Sequence, residues 1–198
     1  MPATAAEAAS KGALPAFRST SRKATRGDVS KSWRTGCPVS YTSLHVVQVR
    51  YLGWDNKGHM GTLIVHKSVS SKVRTAFKKL YAAKFPIRRM QRVDLYGGSD
   101  RKSMAADNTS AFNCRLVAGT RKWSNHAYGK AIDVNPVENP YVNGRTVSPP
   151  AGRAYLKRST YKKGLIKKNS KAMKAFTSQG FTWGGRWPDP DYQHFDLR

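Results

Sequence analysis

The chain has 198 residues, with 36 lysines and arginines against 11 acids, a formal charge of +25, and two cysteines. That length corresponds to one domain, or one domain with a tail, and two cysteines exclude a disulfide framework and a cysteine-only zinc site. The charge calls for a polyanionic partner (nucleic acid, an anionic membrane or an anionic cell envelope), and no apolar run approaches the ~18–20 residues of a membrane span.

Residues 1–32 are rich in Ala, Ser, Thr, Lys and Arg, and their sizeable apolar side chains are Leu14, Phe17 and Val29. Such a segment buries too little surface to offset its ordering entropy, so a flexible basic arm is expected there, followed by a catalytic domain over 33–198. The first residues lack a basic stretch followed by an apolar one, so no secretory signal is visible. Either a signal has been removed or the protein leaves its cell by another route, such as release at lysis; an extracellular or cell-wall location is expected.

Trp33 and Cys37-Pro38 mark the entry to the folded part. Val46 to Leu52 and Thr62 to His66 read as two strands joined by the turn Asp55-Asn-Lys-Gly58, a hairpin. Between Ser71 and Phe85, Val73, Phe77, Leu80 and Tyr81 recur at helical spacing, with Pro86 as the stop. Gln91–Tyr96 before Gly97-Gly98 reads as a strand, Asp100–Asn108 as polar and turn-rich, and Ser110–Val117 as a strand entering the core. Ala131–Val134 is a short apolar strand interrupted by Asp133. Gly152–Ala175 holds nine basic residues and no acid, and its end, with Ser170–Gly180, reads as a helix closed by Gly180. The expected class is α+β, a small antiparallel sheet carrying metal ligands with helices packed on one side. Cys37 and Cys114 either bridge or remain two buried thiols; the bridge is the favoured reading. A monomer is the default.

Two segments carry the chemistry. Ser124-Asn-His126-Ala-Tyr-Gly129-Lys-Ala-Ile-Asp133 is answered near the end by Asp191-Tyr-Gln-His194-Phe195. Two imidazoles and a carboxylate form a three-ligand zinc set that leaves a fourth position open to water. His126 and Asp133 are seven apart, too far for a helical i, i+4 pair, so they belong to a loop and the strand after it. His194 comes from another strand. Asp191, three residues earlier, fits a general base. Asp196 shares the face of His194 by period-two alternation and is a candidate partner for that imidazole. His45, His59 and His66 read as structural.

These motifs resemble the D-alanyl-D-alanine carboxypeptidase (VanY-like) zinc peptidases, which cut peptidoglycan stem peptides; related phage endolysins cleave the L-alanyl–D-glutamate bond. The likeness extends through Phe85–Met90, Tyr96-Gly-Gly98, Ser103-Met104, Asn108–Arg115, Asn135–Pro140 and Trp183-Gly-Gly185 to Phe195, covering about residues 33–196. It implies His126, Asp133 and His194 as zinc ligands and Asp191 as the catalytic carboxylate, where many relatives have Glu. It also implies an arginine that stabilises the oxyanion. The position where close relatives have it falls on Asn113 here, which leaves Arg115 as the nearest candidate and Asn113 as a substrate-binding one. Ser103 and Trp187 are further substrate-binding candidates, against capping and packing roles.

The leading expectation is a zinc-dependent peptidoglycan peptidase, lytic and so antimicrobial, whose basic surface holds it on teichoic acid or lipopolysaccharide phosphates. Its rival is a cationic nucleic-acid- or envelope-binding protein with a non-catalytic metal site. No helix-turn-helix, zinc-finger or RNP-type motif supports the nucleic-acid reading.

Overall fold

The structure, a computed structural model, describes residues 14–197. Its first strand, β1 (Ser19–Lys23), lies within the expected arm and pairs antiparallel with β2 (Leu44–Leu52), Ser19 facing Val49 and Lys23 facing His45. The expectation of a flexible arm therefore fails for residues 14–32. Strand pairing uses backbone N–H and C=O groups, which a polar sequence supplies as well as an apolar one. Past β1, Thr25 begins a 3-10 turn at Arg26–Val29, where fully buried Val29 packs with Phe112 and Cys114. Residues 1–13 of the expected arm lie outside the described residues.

The expected hairpin forms. Strand β3 (Gly58–His66) pairs with β2 from Leu44↔His66 to Leu52↔Gly58. Alternation sends Val47 and Val49 to one core and Leu44 and Val46 to another, so both faces of β2 carry buried apolar residues. Helix α1 (Ser70–Ala82) buries Val73, Ala76, Phe77, Leu80 and Tyr81 against the first core. It ends at Ala83 ahead of Pro86, as expected.

Beyond α1 the backbone departs from two expectations. Gln91–Tyr96 is not a strand: β4 covers Arg89–Met90, and Val93–Tyr96 forms a 3-10 turn that buries Val93 and exposes Leu95. The Asp94 carboxylate in that turn accepts from the backbone N–H of Lys31 at 2.8 Å and the Ser32 hydroxyl at 2.5 Å. Helix α2 (Asp100–Ala105), capped by Ser99, leads to β5 (Asn108–Thr109), which runs parallel to β4. Ser110–Val117 is extended but joins no regular ladder. Its N–H groups go to different segments, Ser110 to Asp133, Phe112 to Ile64, Asn113 to His126 and Cys114 to Ser32. Period-two reading cannot anticipate a segment whose partners change at almost every residue.

The second sheet is built from β6 (Ala131–Asp133), β9 (Thr182–Trp183) and β10 (His194–Asp196), in the order β6-β10-β9. A short hairpin, β7 (Tyr141–Asn143) with β8 (Thr146–Ser148), and helix α3 (Lys171–Thr177) complete the regular elements. Phe176 of α3 meets Phe77 of α1 edge-on at 5.6 Å and stacks on Phe195 of β10 at 4.3 Å. These ring contacts anchor the strand that carries His194. The class is α+β, with small antiparallel sheets, two of the three candidate ligands, Asp133 and His194, on the second of them, and Cys37 bridged to Cys114.

Candidate metal centre

Each member of the triad is held by a different local device. His126 lies in a 3-10 turn, Asn125–Tyr128, whose cap Ser124 accepts from the His126 N–H at 3.3 Å. Gly129 ends that turn at φ +66° with its carbonyl 2.8 Å from the His66 N–H. A side chain at Gly129 would collide with the backbone there, so glycine is required. Asp133 ends β6 directly opposite His194 on β10. The structure thus brings together a loop residue and two strand residues separated by sixty-odd positions.

The three side chains are all buried and offer donor atoms within 4.8 Å of one another. His126 Nε2 lies 3.1 Å from Asp133 Oδ2 and 3.2 Å from His194 Nδ1, and His194 Nδ1 lies 3.1 Å from Asp133 Oδ1. A tetrahedron with metal–ligand bonds of ~2.0–2.1 Å has edges of about 3.3–3.4 Å, so the donor set fits a zinc ion closely. The tautomers also fit. His126 Nδ1 donates to the Ala111 carbonyl at 2.6 Å, which leaves Nε2 as the donor atom facing the centre. His194 turns its Nε2 toward Asp196 at 3.9 Å, which leaves Nδ1 for the centre.

Burial opposes ionisation of Asp133, yet the two imidazoles outweigh it and hold the carboxyl well below the usual range. Burial works against a charged His194 too, but Asp133 and Asp196 push it up to about 10. A cation in this pocket would replace protons. Burial raises the Asp191 carboxyl to about 7, opposed by His194, His126 and the Arg115 guanidinium. Its Oδ1 is buried without a hydrogen-bond partner, and Asp191 faces Tyr141 across an isolated bridge.

The remaining candidates fall at varied distances. Arg115 reaches Asp191 electrostatically while its Nε lies 3.0 Å from Asp100 Oδ1. Asn113 donates its backbone N–H to the His126 carbonyl, and its side-chain Nδ2 has no partner. Trp187 lies beside His194, ring centroids 5.4 Å apart, whereas Trp183 is core, its Nε1–H donating to the Tyr192 carbonyl. Ser103 is fully buried and accepts from Asn108 Nδ2 at 2.9 Å, a contact within the α2–β5 junction and not with the triad. Sequence reasoning missed Asn125, which donates to Asp196, and the Ala111 carbonyl. Asn125 adjoins a candidate ligand and was open to suspicion; a backbone carbonyl leaves no signal in residue types.

Residues 118–197 match the family model described as D-alanyl-D-alanine carboxypeptidase. That segment is similar to the family. The carboxypeptidase match covers less than half of the chain and takes in all three triad residues and Asp191, while Ser103, Asn113 and Arg115 precede it. The match supports a hydrolase of the peptidoglycan-peptidase kind. No curated protein and no solved structure matches the chain.

Proposed function

We propose that the protein is a zinc-dependent peptidase that hydrolyses stem-peptide amide bonds of bacterial peptidoglycan. The observation that carries this reading is the convergence of His126, Asp133 and His194 on one point at near-tetrahedral spacing. A zinc ion held there supplies Lewis acidity and lowers the pKa of an attacking water. Asp191, poised near neutral pH, takes the proton of that water and returns it to the leaving amine. Arg115 stabilises the charge that develops on the scissile carbonyl oxygen. Trp187 flanks the cleft.

The basic surface extends the proposal to anionic envelope polymers, teichoic acid or lipopolysaccharide, at an extracellular or cell-wall location, with lysis of the target cell as the result. Asn56 to Val93 and Asn139 to Pro188 contain no acid, and α1 and α3 lie in those two stretches. Several acids elsewhere are buried, including Asp28, Asp107, Asp133, Glu138 and Asp196, so little negative charge remains outside to offset the lysines. None of the described helices is long and apolar enough to cross a membrane. The catalytic unit is proposed to extend upstream of the matched segment, because β1 and the Cys37 loop are built into the same body.

Digestion of purified muropeptides by zinc-loaded protein, read by mass spectrometry with and without chelator, tests the function. Chelator-sensitive loss of a terminal D-alanine marks a carboxypeptidase, and a new free amine on D-glutamate marks an endopeptidase. Absence of both overturns the proposal in favour of a binding protein.

A further inference from the structure

We propose that the outer face of α1 and α3 binds a linear polyol-phosphate polymer of the teichoic-acid kind, an inference that rests on the proposed function. Helix α1 turns Val73, Ala76, Phe77, Leu80 and Tyr81 inward, which leaves Lys72, Lys78 and Lys79 exposed. Helix α3 buries Ala172, Met173, Ala175 and Phe176, which leaves Lys171 and Lys174 outside. The two exposed stripes adjoin. Lys79 Nζ donates to Ser178 Oγ at 2.8 Å, just past the end of α3, and Lys72 Nζ lies beside Gly180.

Helix stability does not account for these charges. Lysine in a first turn opposes the helix dipole, and like charges three residues apart repel. Lys72 lies in the first turn of α1 and Lys171 in that of α3, and neither turn holds an acid. Lys174 follows Lys171 at i+3. Residues 56–93 and 139–188, which contain both helices, hold no acid at all. None of Lys72, Lys79, Lys171 and Lys174 has an ion-pair partner among the described residues. A polyanion laid across both stripes would offset their mutual repulsion.

The surroundings of the lysines select the polyanion. None of the large hydrophobic side chains exposed among the described residues lies on α1 or α3, so this face has nothing to insert into a bilayer. Nor does it present an aromatic ring on which bases would stack. Its free cations are lysines, point charges without the planar fork of arginine. Arg74, the arginine of α1, is engaged with Ser19 Oγ at 3.0 Å. A chain of phosphodiesters without bases or acyl chains matches these features. It would also leave the metal centre open. Phe176 of α3 stacks on Phe195, and His194 and Asp196 project from the opposite face of β10. The helix layer thus lies behind the sheet that carries two of the candidate ligands, and a polymer bound there holds the protein on the wall.

The test is calorimetric titration of the full chain with synthetic poly(glycerol phosphate), duplex DNA and lipopolysaccharide vesicles in separate arms. Two double variants, Lys72→Glu with Lys79→Glu and Lys171→Glu with Lys174→Glu, are compared with a control, Lys57→Glu with Lys102→Glu. The control removes the same charge from exposed positions elsewhere. Glutamate in a first turn suits the helix dipole, so the helix variants are expected to fold, which thermal melts check. Each helix variant is expected to bind the polymer about 10–100-fold more weakly, and the control less than about 3-fold more weakly. The salt dependence is expected to be shallower in the helix variants. Equal weakening in all three variants, or no binding by the wild type, overturns the face. Tighter binding of DNA or vesicles than of the polymer overturns the assigned partner. Muropeptide hydrolysis by the wild type is measured in parallel. Its absence with polymer binding intact overturns the proposed function and leaves the face standing, whereas hydrolysis without polymer binding overturns the face alone.

Discussion

His194 and Asp196 project from the same face of β10, and the imidazole Nε2 lies 3.9 Å from the carboxylate Oδ2, the oxygen that also accepts from Asn125. A carboxylate behind a ligating imidazole fixes its tautomer and raises its basicity. Replacing Asp196 by Asn is expected to weaken zinc binding about 10–100-fold. Competition against a chromophoric chelator reads that change, and a thermal melt of the metal-free variant checks that the fold persists. Unchanged affinity would remove Asp196 from this role.

Asp191 has no hydrogen-bond partner at Oδ1, and burial holds its carboxyl near 7. The Asp191→Ala variant is expected to lose about 10²–10⁴-fold in kcat while still binding zinc. Hydrolysis at the wild-type rate would exclude Asp191 as the base.

The Cys37–Cys114 bridge joins positions 77 apart in sequence. Reduction is expected to lower stability by ~4–5 kcal/mol on the chain-entropy estimate, read as a lower urea midpoint.

Asp28 titrates with a definite sign. The Arg22 guanidinium, at 2.7 and 2.8 Å, and Thr25 hold its carboxyl well below the usual range, against the opposing effect of burial. A lowered acid contributes stability that is fully present above its unfolded value of about 4 and is lost as pH falls through the folded value. Asp28→Asn is expected to destabilise the protein by about 1–2 kcal/mol at pH 7. The gap between wild type and variant is expected to narrow below about pH 4. A gap constant from pH 7 to pH 2 would refute the ion pair.

Glu138 titrates in the opposite sense. Burial and the neighbouring Asp107 push its carboxyl up to about 8. A raised acid contributes stability that is lost as pH rises from the unfolded value, about 4.3, through the folded one. Glu138→Gln is therefore expected to flatten the fall in urea midpoint between about pH 5 and pH 8. An unchanged slope would refute the raised value.

How much of this was legible beforehand varies by element. The β2–β3 hairpin announces itself by apolar runs on either side of a turn, and α1 by apolar residues at helical spacing. Strand β1 does not, since Ser19–Lys23 is exposed along most of its length and is held by backbone pairing. The 110–117 segment misleads for a related reason: its extended geometry is real, but its hydrogen bonds go to Asp133, Ile64, His126 and Ser32 in turn.

The sequence alone determined the donor types, two imidazoles and a carboxylate, together with the loop-then-strand placement of His126 and Asp133 and the face shared by His194 and Asp196. Those are local properties, set by residue chemistry and by the period of a strand. Only the tertiary structure decided that β10 lies between β6 and β9 and that the three donors meet within 4.8 Å. Those relations depend on contacts between segments far apart in the chain, whose closure is driven by burial summed over the whole core and by one disulfide, and no single segment encodes them.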